Sequence, residues 1–240
     1  MSRPFALLLL VLAAAPAQAL TFADQALVCP IDGKSFTSRV MSSGTSFGRY
    51  FDTRPFGPIA APAPLPACPG NGFIVIEQRD YGAEELAKLR AFVASAEYRG
   101  WIAEETPYYR LARQMAFAGA SADATANVWL QATWEAGPER YPRYAEQALQ
   151  AWQQRAQRQA GSEDGVHARL VVGELQRRLG RFDDARATFL AVRADPALAK
   201  LEDVETRDYL GKIVDAQLQL VQARDPSNAR LDDDGKIVHF

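Results

Sequence analysis

The chain has 240 residues, 48% of them hydrophobic and 23% charged, a balance typical of globular proteins and far from that of disordered or fibrous chains. Its 27 Lys and Arg against 29 Asp and Glu give a formal charge of −2, without the basic excess of a nucleic-acid binder. Two cysteines and two histidines leave little material for a metal cluster or a redox relay.

The opening "MSRPFALLLLVLAAAPAQAL" combines a basic Arg3, an apolar run and the small-x-small ending Ala17-Gln18-Ala19. It predicts a secretory leader over 1–19, cleaved near Ala19–Leu20, and therefore a periplasmic or secreted protein. The apolar run is far shorter than the roughly 20 residues a membrane-spanning helix needs, so no membrane insertion of the mature chain is expected. Loss of Arg3 takes the formal charge from −2 to −3.

Residues 20–80 hold both cysteines, many Gly and Pro, and the β-prone runs "LVCPI", "KSFTSRVM", "SFGRYF" and "FIVIEQ". They predict a small β module. Between the last two runs, Pro55, Pro58, Pro62, Pro64, Pro66 and Pro69 exclude a helix and favour a long extended loop.

Residues 81–224 change to Ala, Leu, Gln, Arg and Glu with helical spacing. Helices are predicted over 83–96, 108–118, 122–135, 143–159, 166–179, 183–193 and 203–224. Short turns join them, which predicts a stack of antiparallel helical hairpins. The fold class is then α+β, predominantly α, with residues 225–240 as a tail. The aromatics Trp101, Tyr108, Tyr109, Phe117, Trp129, Trp134, Tyr141, Tyr144 and Trp152 are expected in the core.

Within "LVVGELQRRLGRFDDARATF", Val171, Val172, Leu175 and Leu179 form one apolar stripe. Glu174, Gln176, Arg177 and Arg178 fall on the other face, read together with Arg181 as a solvated surface. Gly180 suits a left-handed helix end, and Asp183 and Asp184 suit the start of the next helix. Gly173 costs about 1 kcal/mol relative to Ala inside a helix, so another backbone is expected close to it. Gly173, Leu175, Gly180, Phe182, Ala185 and Phe189 give the segment a pattern that resembles a tetratricopeptide repeat. Arg169 departs from that repeat's Trp, and Gln176 from its Tyr.

Four short motifs, "CPIDGKSF", "FDTRP", "CPGNGF" and "GELQRRLG", together resemble a bacterial family known as domain of unknown function 2225. Members carry two C-x-x-C pairs, a set of four thiolates suited to tetrahedral zinc. Here Asp32 and Asn71 replace the second Cys of each pair. The resemblance and the exported location together imply that Cys29 and Cys68 form a disulfide in place of a metal site. A metal module at Cys29, Asp32 and Cys68 is the alternative, and no cofactor is expected.

Two further patterns suggest chemistry. "GTSFG" matches a G-x-S-x-G elbow around Ser46, which would need His167 or His239 as base to make a serine hydrolase. No strand-to-helix context surrounds it, so a turn is expected. "RLDDDGKIV" places Asp232, Asp234 and Gly235 as in a calcium loop, but Arg230 occupies the first ligand position, and a solvated acidic turn is expected, with Ile237, Val238 and Phe240 docking back on the body. These readings lead to one functional expectation, a protein- or peptide-binding scaffold of unknown partner rather than an enzyme.

Overall fold

A computed structural model describes residues 20–240; the predicted leader, 1–19, lies outside the described residues. The fold is α+β and mostly α, as expected. It opens with a hairpin of β1 (Leu20–Val28) and β2 (Ser35–Gly44), antiparallel with Val28 opposite Ser35, followed by the short pair β3 (Gly48–Arg49) and β4 (Pro55–Phe56). "FIVIEQ" forms no strand beyond a single bridge from Ile74 to Ala67. The reason is local: the Gln114 side chain accepts from the Ile74 N–H at 3.1 Å and donates to its carbonyl at 2.9 Å, taking the place of a neighbouring strand.

The helices follow as α1 (Ala83–Ala94), α2 (Ala96–Glu104), α3 (Pro107–Phe117), α4 (Ala122–Glu135), α5 (Tyr141–Arg158), α6 (Glu163–Arg178), α7 (Phe182–Arg193), α8 (Pro196–Ala199) and α9 (Val204–Gln222). All seven predicted helices lie within three residues of their expected bounds. The first, expected over 83–96, ends at Ala94, because Ser95 leaves the helical conformation and caps the unforeseen α2 by accepting from the Tyr98 N–H. From α3 to α7 each helix packs on the next, and α7 then packs on α9. The tail is no isolated acidic turn: β5 (Ala229–Leu231) and β6 (Ile237–His239) pair as a hairpin closed at Gly235, and Ala229, Leu231 and Ile237 dock with Phe51 on Ala216 and Leu220 of α9.

The β module and helices share one core. Cys29, Ile31, Cys68, Phe73 and Val75 pack with Leu89, Tyr98, Trp101, Tyr109 and Trp129. The module is also tied down by polar bonds, from Arg90 to the Ile31 carbonyl and from Tyr98 and Arg110 to the Gly72 carbonyl. The central aromatics form an edge-to-face and stacked ladder, Phe92 to Tyr98 and Trp101, then Tyr109, then Tyr144 and Trp129. Phe117 departs from the expected core position: it stacks on Phe92 but remains half exposed.

The α6–α7 hairpin carries the repeat-like pattern. Gly180 adopts φ +76°, Asp183 and Asp184 occupy the first turn of α7, and Ala185, Phe189 and Val192 are fully buried. Gly173 is explained by a ring rather than by a backbone, since a Cβ there would sit 2.6 Å from the Phe189 ring.

Candidate functional site

Cys29 and Cys68 are joined as a disulfide with a Cα separation of 5.5 Å. Each heads a turn of the same design. The Gly33 N–H donates to the Cys29 carbonyl and the Gly72 N–H to the Cys68 carbonyl, both glycines in the left-handed region. Asp32 and Asn71 occupy matching places, each accepting from the backbone N–H two residues on. Both thiols are consumed by the bond, so the Cys29, Asp32 and Cys68 set has no thiolate with which to bind a metal. Closing a loop of 39 residues contributes about 4 kcal/mol in the chain-entropy treatment.

Ser46 lies in an exposed turn, its hydroxyl donating to the Gly48 carbonyl at 2.8 Å; neither histidine is its partner. His239 instead meets Ser227 and Asp225, but both approach the same ring nitrogen, Nδ1, at 2.9 and 3.5 Å. A relay needs the acid on one nitrogen and the hydroxyl on the other, so this trio lacks that geometry. Asp232 spends its carboxylate on the N–H groups of Asp234 and Lys236 within the hairpin turn.

The largest departure from the sequence reading is the polar face of α6. Glu174 and Arg177 are fully buried and Gln176 nearly so, while Arg178 is partly covered; only Arg181 lies on the surface, paired with Glu146. Besides α7 and α9, the cover comes from two distant segments, the turn at 50–54 and the stretch leading into β5. Arg177 donates to Glu174 Oε2 at 2.7 and 3.2 Å, to Gln217 of α9 at 2.8 Å, and to the carbonyls of Asp225 and Ser227. Gln217 returns a bond to Glu174 at 2.7 Å.

Next to this group sits Asp52, which is 2% exposed. Its carboxylate accepts from Arg178 and Asn228, both at 3.1 Å, and from the Arg54 N–H at 3.0 Å. Its carbonyl accepts from the Trp134 indole of α4. Burial, and then the nearby Glu174 carboxylate, push the Asp52 carboxyl up to about 6 in spite of Arg178 and the bond from Arg54. Burial likewise raises the Tyr141 phenol well above its ordinary range. The "FDTRP" and "GELQRRLG" motifs therefore meet in space through Asp52 and Arg178.

Beside the Asp52 turn opens a cleft of about 420 Å³. Its walls are mostly carbon: Tyr50 and Phe51 of the turn, Trp152 of α5, Leu170 and Val171 of α6, and Leu210 and Ile213 of α9. Arg49, His167, Thr206 and the half-exposed Tyr209 supply polar groups. This volume and this mixture, an apolar body with a few polar groups, are those of a ligand cleft. His167 thus belongs to the cleft rather than to a Ser46 relay. Trp152 is oriented by its indole N–H, which donates to the Ala126 carbonyl at 3.0 Å.

Trp152, His167 and Val171 stand out in the sequence for other roles, as core, candidate base and apolar stripe, but nothing there joins them into one site, because the walls come from four separate stretches of chain; clustered aromatics around Trp152 are the one available signal. Among the described residues no group of three or more His, Cys, Asp and Glu is placed to hold a metal, and no helix is long and apolar enough to cross a membrane. No protein-family model, curated protein or solved structure matches the chain.

Proposed function

We propose that the protein is an exported binding protein, not an enzyme, whose cleft between α6, α9 and the Asp52 turn receives an apolar segment of a peptide or protein partner. The observation that carries this reading is the cleft itself: seven carbon-rich side chains enclose a volume of about 420 Å³ beside a half-exposed Tyr209. Burying apolar ligand surface there yields about 25 cal/mol per Å² removed from water, and the buried Trp152 and Leu170 hold the wall in place beforehand. Export is supported by the leader-like opening and by a disulfide, which persists in oxidising compartments. The likeness to domain of unknown function 2225 rests on its four short motifs, and the paired turns at Cys29 and Cys68 are consistent with it.

The test is selection from a random displayed-peptide library on the oxidised protein, followed by titration of the selected peptides against the unmodified chain and Tyr209→Asp. Tyr209 is exposed, so the substitution leaves packing intact while placing a charge at the cleft. Enrichment of apolar peptides whose affinity falls at least about tenfold in the variant is the expected outcome. Peptides that bind both proteins equally, or no enrichment at all, would refute the reading.

A further inference from the structure

The apolar cleft does not end at Arg49 and Tyr209. The same two residues also line a second recess of about 240 Å³, bounded by Phe56, Lys212 and Arg230. The chemistry changes across this boundary from carbon to cation. Arg49 spends one N–H on the Thr53 carbonyl and Arg230 one on the Leu231 carbonyl, and none of the three basic side chains forms an ion pair within 4.0 Å among the described residues. Arg113, which lines a different recess beside Trp101, is by contrast paired with Glu97.

The acids of the recess are Asp232 and Asp233. Asp232 is engaged by two backbone N–H groups of its own turn, and Asp233 is exposed on that turn. The guanidinium of Arg230 is held over the Phe56 ring at 4.1 Å, which restrains it before any ligand arrives. Lys212 follows Tyr209 by three residues on α9 and so lies on the same side of that helix.

We infer that the extended cleft is specific for a peptide in which an apolar anchor is flanked by an acidic side chain, the anchor seated between α6 and α9 and the carboxylate between Arg49, Lys212 and Arg230. This inference rests on the peptide-binding reading and adds the ligand's charge to it. A carboxylate gains charge-assisted hydrogen bonds from fixed donors at that position, whereas the corresponding amide gains only neutral ones. Because Arg49 and Lys212 are exposed, the preference weakens as salt screens them.

The experiment uses the oxidised full chain and three pools of short peptides, each with a central Phe or Leu. One pool is acetylated and amidated with a flanking Asp or Glu, the second is its Asn or Gln counterpart, and the third is the second pool with a free terminal carboxylate. Affinities are read from tryptophan fluorescence at low and high salt, for the unmodified chain and for Lys212→Gln and Arg49→Gln. The acidic pool is expected to bind about tenfold tighter than the amide pool at low salt, with the ratio falling toward one in high salt and in both variants. Equal binding of the first two pools overturns the charge assignment and leaves the peptide reading standing. Tight binding of the third pool alone overturns the side-chain assignment, and failure of all three pools removes the peptide reading with it.

Discussion

Arg177→Met tests the buried network directly. Arg177 has no exposed surface, and it neutralises an equally buried Glu174 while satisfying Gln217 and two backbone carbonyls. Methionine fills a similar volume without donors. The substitution leaves the Glu174 carboxylate with a single bond, from Gln217 at 2.7 Å, and strips Gln217 Oε1 and the carbonyls of Asp225 and Ser227 of this partner. Removing one member of a buried ion pair costs about 3 to 5 kcal/mol, against about 0 to 1 kcal/mol for an exposed pair. Urea unfolding of the oxidised protein, followed by tryptophan fluorescence, should show the midpoint falling by an amount that reports this loss at unchanged slope. Adding Glu174→Gln removes the stranded charge, so the double variant should lose less than the two single losses combined. A loss below about 1 kcal/mol in Arg177→Met, or strict additivity with Glu174→Gln, would refute the assignment of Arg177 as the counterion that makes Glu174 tolerable in the interior.

Two further outcomes follow from the same packing. Asp52 stands at about 6 when folded against an ordinary 3.8, so the folded state binds its proton more tightly than the unfolded state does. Its contribution is most favourable below pH 4 and declines as pH rises to about 6, a difference of about 3 kcal/mol, and is flat above that. Asp52→Asn should remove this part of the stability profile between pH 4 and 6, and identical profiles for the two proteins would contradict it. Gly173→Ala gains about 1 kcal/mol in helix propensity but drives a methyl to 2.6 Å from the Phe189 ring, and Phe189 is fully buried. Overpacking of about 1 to 3 kcal/mol should win, lowering the melting temperature, with partial recovery when Phe189→Leu is added; a more stable single variant would show that the ring moves aside freely.

What the sequence could convey depended on how far apart the cooperating residues lie. α4 was readable to the residue, because Ser121 caps its start and the Gly137-Pro138 pair follows its end. α6 was readable as a helix but not as a buried one. Periodicity assigns one face to the core and leaves the opposite face to solvent, and nothing within residues 163–178 announces that Asp52 and Asn228 will cover it. The C-terminal hairpin did carry a signal: Arg-Leu and Ile-Val flank an Asp-rich turn closed by Gly235, which is hairpin grammar as much as a calcium-loop fragment. For the cleft the clustered aromatics around Trp152 are the one trace, since proximity among Tyr50, Trp152, Leu170 and Ile213 exists only after folding.

The buried network and the cleft are connected by one turn. Thr53 adopts φ +63°, unfavourable for a β-branched residue, so other bonds must hold it there. Thr53 N–H donates to the Tyr50 carbonyl, Arg49 donates to the Thr53 carbonyl, and Asp52 receives the Arg54 N–H while its own oxygens are anchored on Arg178 and Asn228. The Phe51 N–H completes the hold by donating to the Ala229 carbonyl at 2.8 Å. Tyr50, Phe51 and Thr53 form one wall of the cleft, and Asp52 between them points into the network. A carboxylate in the interior is a poor source of stability, because desolvation outweighs its ion pair. Its physical consequence here is position: it fixes a strained turn against α6 and the C-terminal segment, and the cleft takes its shape from that turn.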